Sequence, residues 1–383
     1  MPERIGRFIV ARRLGSGGMG EVFLAYSPAG DPVAVKLIRA DRLDPVTRAR
    51  FEKEARVARE VVGTGRVARF LDADPYADRP WMAMEYVPGR TLLEAVDDEG
   101  PLPAVLVASL GALLAEGLGA VHASGLLHRD LKPQNVILGD YGPVIIDFGL
   151  AAFADTTQES LSHSGMIVGT VRCMPPEQAS GHPQVTTAAD VYALGTVLLY
   201  AAAGHYPYDG TRWEAIVAQV ANPAQAPDLS GVPGPLMPLL TSMLAHEPED
   251  RPVLEKVAQE CTRLMAVLGA EAVSARQALI ARTSAKGPVA SGAELLTVAV
   301  EDRLRALLAE ELSSYESKAS VEAAGDAAES PTGAPTDEQA AEIPTAAEPA
   351  VAPAGPSRAR PRMPASQRIA DELRKAYAPQ PAL

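Results

Sequence analysis

The stretch His128-Arg129-Asp130-Leu131-Lys132-Pro133-Gln134-Asn135 decides the fold, because it places an acid, a cation and an amide within six residues. These groups lie too close together for one face of a regular helix, and they are typical of a loop held at both ends. The apolar run 144–146 predicts a short buried strand that ends at the acid of Asp147-Phe148-Gly149, twelve residues after Asn135. The two loops together indicate a site for chemistry.

Asn135 and Asp147 are the candidate metal ligands. Mg²⁺ takes one or two protein oxygens and completes its shell with water and phosphate, so this pair predicts a metal–phosphate site. The motif H-R-D-L-K-P-Q-N followed by D-F-G resembles the catalytic and metal-binding loops of the eukaryotic-type protein kinases, and the motifs around it look most like the bacterial serine/threonine branch. One D-F-G occurs by chance, but the two motifs in this order and at this spacing do not.

The resemblance implies an α+β fold of two lobes, with a small, mainly β N-lobe that carries one helix, αC, and a larger, mainly α C-lobe. Beyond it, helical periodicity gives way to a segment rich in Ala, Pro and Glu, which cannot bury enough apolar surface to fold and predicts a disordered, acidic linker. The end of the chain is either a short docking helix or a frayed tail. The expected ranges are a kinase domain at 5–265 (N-lobe and hinge 5–87, C-lobe 88–265), a helical extension at 266–318, the linker at 319–365 and the terminal helix or tail at 366–383.

Composition limits the partners and the compartment. The 383 residues carry a net charge of −13, which argues against nucleic acid or an anionic membrane surface as a partner, because both require a basic footprint. Two cysteines cannot form a disulfide framework and lie in no zinc motif, which indicates a reducing compartment. The N-terminus lacks the apolar core of a signal peptide, and no uninterrupted apolar run reaches the ~18 residues of a membrane span. We therefore expect a cytoplasmic protein.

The glycine-rich segment 15–20 lies between two predicted strands, at 5–14 and 22–26. Gly15, Gly17 and Gly20 would let a hairpin backbone approach phosphates, since glycine has no Cβ. A dinucleotide-binding fold would place a helix after these glycines, whereas a strand follows here. The resemblance implies that Leu14 and Val22 close over the adenine of ATP.

The predicted strand that ends on Lys36 resembles the kinase V-A-I-K motif, which implies that its ammonium binds the ATP phosphates. Helix 45–62 resembles αC and offers Glu54 as the partner of Lys36, with Glu52 as the surface alternative. Segment 81–89 resembles the inter-lobe hinge, whose backbone would bind the adenine edge. The implied ATP-binding residues are Leu14, Gly15, Gly17, Gly20, Val22, Ala34, Lys36, Glu54, Glu85 and Val87.

The resemblance also assigns the catalytic roles. Asp130 would accept or orient the substrate hydroxyl, and Lys132 would offset charge on the transferred phosphoryl group. A lysine at this place implies serine/threonine specificity, protein substrates, and ATP with Mg²⁺, or alternatively Mn²⁺, as cofactors. A catalytically weak pseudokinase that binds partner proteins is the alternative function. A homodimer is an open alternative for the oligomeric state.

Segment 147–177 resembles an activation segment. Ser162 and Ser164 match the expected autophosphorylation sites, and Arg129 would hold the phosphate. The resemblance further implies three supporting features, which are a buried Glu177–Arg251 pair, an Asp190 that steadies the catalytic loop, and a Cys173 that serves in packing, with redox control as its alternative.

Overall fold

A computed structural model of the chain describes residues 1–16, 20–39, 65–147, 171–182 and 185–284, together with isolated positions between 48 and 59. The N-terminal part forms a six-stranded antiparallel sheet with the strand order β1-β2-β3-β4-β6-β5. The two-lobed α+β architecture expected from the sequence is confirmed. The strands of this sheet are β1 Arg4–Ile5, β2 Phe8–Ser16, β3 Gly20–Tyr26, β4 Pro32–Ile38, β5 Phe70–Asp74 and β6 Trp81–Glu85.

Alternation along β4 sorts its side chains between the two faces of the sheet. Val33, Val35 and Leu37 are buried in one core with Phe8 and Trp81, whose rings meet edge to face at 5.7 Å. The other face carries Ala34 and Lys36, because successive strand residues point in opposite directions. The period of two thus directs the predicted phosphate-binding lysine away from the hydrophobic core.

The strand predicted over 5–14 is interrupted at Gly6. This glycine has φ +56°, and a Cβ at its position would lie 2.4 Å from the Trp81 ring. The backbone therefore turns at Gly6, and β1 pairs back onto β2 as a short hairpin.

Helical residues at 51, 55 and 58 mark the predicted αC helix. The spacing i, i+4, i+7 places Phe51, Ala55 and Ala58 on one face, and all three are buried. Phe51 and Ala55 pack against Met82 and Met84 of β6, beneath the sheet. Met84 is buried in this cluster, on the face of the sheet that also carries Lys36.

The C-lobe is mainly helical and carries a second, small sheet with the order β7-β8-β9. Its strands are β7 Arg90–Thr91, β8 Val136–Gly139 and β9 Gly142–Ile145. Its helices are α1 Leu92–Glu99, α2 Ala104–Ala123, α3 Pro176–Ala179, α4 Thr187–Ala203, α5 Trp213–Val220, α6 Met237–Met243, α7 Leu254–Val267 and α8 Ala272–Ser284. The helix α8 supplies part of the predicted extension 266–318, and the linker at 319–365 and the terminus at 366–383 lie outside the described residues.

Helix α2 forms the centre of the C-lobe, together with α4 and α7. In length and apolar composition it passes the criteria for a membrane span, although Glu116 interrupts its apolar run. Most of α2 is buried, and Leu110, Leu114 and Leu118 are fully enclosed by the helices around them. Its apolar character is therefore accounted for by the core of the lobe.

Candidate active site

The catalytic loop closes on itself through Asp130. Lys132 Nζ lies 2.7 Å from Asp130 Oδ2, and Asn135 Nδ2 donates to the Asp130 backbone carbonyl at 2.8 Å and to Oδ2 at 3.2 Å. A 3-10 turn at Pro133–Asn135 brings the amide back over the acid. The structure therefore brings together the acid, cation and amide that the sequence places within six residues.

Asp190, at the first turn of α4, holds this loop from beneath. Its fully buried carboxylate accepts backbone N–H bonds from His128 and Arg129, each at 2.8 Å, and a bond from His122 Nε2 at 2.7 Å. Burial opposes ionisation of Asp190, but the His122 hydrogen bond, the nearby His128 and the two backbone donors lower its pKa below the usual value. The predicted supporting role of Asp190 is confirmed.

Two residues of the site adopt the left-handed backbone region. Arg129 has φ +60° and Asp147 has φ +56°. Such conformations cost about 1–3 kcal/mol in non-glycine residues and persist only where their surroundings enforce them. For Arg129 the Asp190 hydrogen bond supplies that restraint.

His128 is enclosed between the two loops. Its Nδ1 accepts the Asp130 N–H at 3.3 Å, which leaves Nε2 to donate to the Ile146 carbonyl at 3.3 Å. Burial lowers the pKa of His128, so the ring is neutral near pH 7, as the two roles require. His128 thereby ties the catalytic loop to the residue before Asp147.

Lys36 reaches across from the N-lobe sheet to the second loop. Its Nζ lies 3.3 Å from Asp147 Oδ1, and its side chain is only 12% exposed. The predicted partner Glu54 lies outside the described residues. In the part of the chain that is described, the partner of Lys36 is therefore Asp147.

Asn135 and Asp147 lie at the base of the β8–β9 hairpin, one at each strand. Ile146 N donates to the Asn135 carbonyl at 2.9 Å and closes this base. The Asn135 Nδ2 donates to Asp130, which leaves the Asn135 Oδ1 as the candidate oxygen ligand. Among the described residues no cluster of three or more His, Cys, Asp or Glu side chains could hold a metal. Oxygen donors from Asn135 and Asp147, with Lys36 3.3 Å from Asp147, fit a hard cation that brings phosphate and water ligands of its own.

The predicted nucleotide residues line the sheet and the hinge. Val22 pairs with Gly15 across β2 and β3, and Ala34 pairs with Met84 across β4 and β6. Gly17 lies outside the described residues.

The structure adds one packing requirement at Gly20 and one hydrogen bond at Glu85 to what the sequence predicted. A Cβ at Gly20 would lie 2.4 Å from the Leu37 carbonyl, so close strand packing, as well as any approach of phosphate, requires glycine there. The Glu85 N–H donates to the Arg69 carbonyl at 2.8 Å within the sheet. The predicted contact of the hinge backbone with the adenine edge therefore concerns the Glu85 carbonyl and the Val87 backbone.

The end of the activation segment is fixed by the Glu177–Arg251 pair. Both guanidinium Nη atoms donate to the carboxylate at 2.8 Å, and the Arg251 side chain is fully buried. This confirms the predicted structural pair. Ser162 and Ser164 lie outside the described residues, so their phosphorylation stays a prediction.

A small cavity adjoins Asp130 and is lined by Arg129, Leu131, Cys173, Met174 and Gln178. Burial raises the pKa of the Cys173 thiol far above its usual value, which suppresses the reactive thiolate. The packing interpretation of Cys173 is therefore favoured over redox control.

Two supporting residues, His122 and Arg66, were not predicted from the sequence. The only signal for His122 was its place in the last turn of α2, just before the catalytic loop, where it lies 2.7 Å from Asp190. No sequence pattern signalled the contact of Arg66 with the carbonyl of Tyr141 at 2.9 Å.

A family model, the protein kinase domain, matches residues 8–261. The chain belongs to the protein kinase family. This kinase is 44% identical over 252 residues to the probable serine/threonine-protein kinase PkwA of Thermomonospora curvata, with 66% of this chain and 33% of that protein covered. The serine/threonine-protein kinase AfsK of Streptomyces coelicolor is also 44% identical over 252 residues, which are 66% of this chain and 31% of that protein. The kinase thus spans about a third of the length of these curated relatives.

Among solved structures, the kinase resembles the PknI kinase domain of Mycobacterium tuberculosis. The TM-score is 0.56 at 26% sequence identity, and the match covers 70% of this chain and 99% of that chain. These likenesses place the kinase in the bacterial serine/threonine branch that the motifs indicate.

Proposed function

We propose that this chain transfers the γ-phosphoryl group of ATP to serine or threonine hydroxyls of proteins. The observation that carries the proposal is the assembled pair of loops, with Asp130 held by Lys132 and Asn135, and Asp147 held beside Lys36. The names of the relatives, which are serine/threonine-protein kinases, support the same specificity.

Each described residue of the site has a role in this reaction. Asp130 Oδ2 is engaged by Lys132 and Asn135, which leaves Oδ1 to orient the acceptor hydroxyl and take its proton. Lys132 offsets negative charge on the transferred group, and Lys36 positions the ATP phosphates. A divalent cation, when bound at Asn135 and Asp147, neutralises charge on the phosphates. We infer Mg²⁺ as this cation from the small number of protein oxygens, with Mn²⁺ as the alternative.

A kinase assay with a generic protein substrate tests the proposal. Asp130→Asn should lower kcat by about 10²- to 10⁴-fold, the usual contribution of general acid–base catalysis. Asp228→Asn is the matched control, because this exposed acid also accepts a backbone N–H bond, from Ser230 at 2.8 Å, and contacts none of the described site residues. Phosphoamino acid analysis should show phosphoserine or phosphothreonine.

The pseudokinase alternative is disfavoured, because Lys36, Asp130, Asn135 and Asp147 are all present and mutually oriented. It would be supported, and the proposal refuted, if the folded wild-type protein bound ATP without any turnover above that of Asp130→Asn.

Autophosphorylation at Ser162 and Ser164, with Arg129 as the phosphate-binding residue, is part of the proposal. It is supported by the position of Arg129 directly before Asp130, in a backbone conformation that Asp190 maintains. Mass spectrometry after incubation with ATP should find phosphate at these serines. A fully active Ser162→Ala/Ser164→Ala protein would remove Arg129 from a switching role.

A cytoplasmic location is likewise proposed. It is supported by two cysteines that are buried and unpaired, as suits a reducing compartment. Cell fractionation of the full-length protein would test it. Dimerisation stays a prediction, to be checked by light scattering.

A further inference from the structure

The β8–β9 hairpin carries both candidate metal ligands. Asn135 directly precedes β8, Asp147 follows β9 by two residues, and the Ile146 N–H bond to the Asn135 carbonyl closes the base between them. The placement of this hairpin in the C-lobe therefore sets the placement of both ligands.

Two arginines hold the tip of the hairpin at one atom. Arg66 Nη1 and Arg276 Nη2 each donate to the Tyr141 carbonyl at 2.9 Å. The Arg66 carbonyl also accepts the Ile145 N–H at 2.7 Å. Arg66 therefore contacts both the residue before β9, Tyr141, and the last residue of β9, Ile145. Glu116 lies 3.8 Å from Arg66 Nε and offsets part of the repulsion between the two guanidinium groups.

Arg276 belongs to α8, which lies beyond the residues that the family model matches. Ala275, Leu279 and Thr283 recur every four residues, and all three are buried, so one face of α8 is packed against the lobe. The same helix thus presents a fixed arginine to the hairpin.

The far end of α8 holds the other edge of the small sheet. Arg282 donates to the Glu99 carbonyl at 3.3 Å, and the Glu99 side chain pairs with Arg90 of β7. Arg90 lies opposite Leu138 of β8 in the sheet register. Contacts from α8 therefore reach both the hairpin tip and the strand beside it.

We propose that α8 is a brace for the metal-binding hairpin and that Arg276 is a positioning residue for Asn135 and Asp147. The inference rests on the proposed function, because these two residues are metal ligands only in that reaction. Without the Arg276 contact, Arg66 would be the one described side chain still bonded to the tip carbonyl, and the hydrogen bond between Ile146 and Asn135 at the base would open more often.

Hydrogen exchange in the full-length, nucleotide-free protein tests the brace without any turnover. In Arg276→Ala the amides of Ile145 and Ile146 should exchange roughly tenfold faster, since local openings follow the contacts that resist them. The peptide from α4 serves as the internal reference and should be unchanged. Arg276→Lys, which keeps a cationic N–H donor group, should restore most of the protection. Arg263→Ala is the matched control, because that arginine makes an exposed pair with Glu260 on α7.

Steady-state kinetics test the consequence for the metal. Arg276→Ala should raise the Mg²⁺ concentration for half-maximal activity by about 2- to 30-fold, the range in which remote contacts modulate a site. The value of kcat at saturating Mg²⁺ should stay near that of wild type, and Arg276→Lys should return the midpoint toward it. Unchanged exchange at Ile145 and Ile146, or faster exchange with an unmoved Mg²⁺ midpoint, overturns the proposal. A wild-type protein without kinase activity would defeat the proposed function instead, while the exchange experiment would still decide the brace.

Discussion

Replacing Asp190 by asparagine tests how the catalytic loop is held. The carboxylate accepts three hydrogen bonds, from the backbone of His128 and Arg129 and from His122. Asparagine keeps the shape but turns one acceptor oxygen into a donor. The least damaging orientation keeps an oxygen toward His122 and His128 and turns the NH₂ group toward the Arg129 N–H.

The cost follows from this geometry. Losing one hydrogen bond to a charged group costs about 1.5–3 kcal/mol, and the buried donor left without an acceptor adds about 1–3 kcal/mol. We therefore expect the free energy of unfolding to fall by about 3–5 kcal/mol. At roughly 2–4 °C per kcal/mol for a domain of this size, Tm should fall by about 6–20 °C.

Activity should fall as well, through Arg129. Once the Asp190 bond is lost, the left-handed conformation at φ +60° has lost its restraint, and relaxation would shift the neighbouring Asp130. A misplacement of about 1 Å costs on the order of 100-fold in rate, so kcat should drop by about that factor at a temperature where the variant is folded.

The assay pairs urea denaturation with kcat for Asp190→Asn and for Asp228→Asn, the same substitution at an exposed acid that also binds a backbone N–H. Equal stability of the two variants would refute the hydrogen-bond argument. Lower stability with an unchanged kcat in the folded fraction would show that Asp190 does not position the catalytic loop.

Two further predictions concern buried ionisable side chains. Glu177→Ala should destabilise the fold by about 3–5 kcal/mol, because it leaves the fully buried Arg251 guanidinium without its carboxylate partner. Glu260→Ala, which removes an exposed pair, should cost less than about 1 kcal/mol. Equal urea midpoints of the two variants would contradict this prediction. Burial holds the pKa of His128 in the folded state below its unfolded value of about 6.5. The neutral ring therefore contributes its full stability above about pH 6.5, and that contribution is lost as the pH falls below this value toward the folded pKa. In urea titrations between pH 6.5 and 5, the free energy of unfolding of the wild type should fall by up to about 1.4 kcal/mol per pH unit more than that of His128→Asn. An equal pH dependence of the two proteins would count against a neutral His128.

Much of the site follows from the sequence because its groups are close together in the chain. The spacing from Asp130 to Asn135 already implies a loop, and the run before Asp147 implies a strand that ends at an acid. The support from Asp190 could be inferred only through resemblance, since sixty-one residues separate it from Arg129. Its partner His122 carries no motif of its own, so only the packing of α2 against α4 shows the contact.

Where the structure adds to or differs from the sequence predictions, the cause is a contact between residues that are distant in sequence. The turn at Gly6 depends on the Trp81 ring, and the Glu85 N–H is bonded to the carbonyl of Arg69, which directly precedes β5. The contact of Arg276 with Tyr141 joins residues 135 positions apart in sequence. Such pairings are set by tertiary packing, which local periodicity does not encode.

The apolar character of α2 has a consequence for how the chain is made. Its 20 helical residues are synthesised well before α7, which packs beside them and comes only at Leu254–Val267. A helix of this length spans about 30 Å, the thickness of a bilayer interior, so a nascent chain that stops between the two helices exposes a segment that a membrane or a chaperone can take up. Fragments that end within the activation segment should therefore precipitate or adhere to lipid, although the finished lobe keeps most of that surface covered.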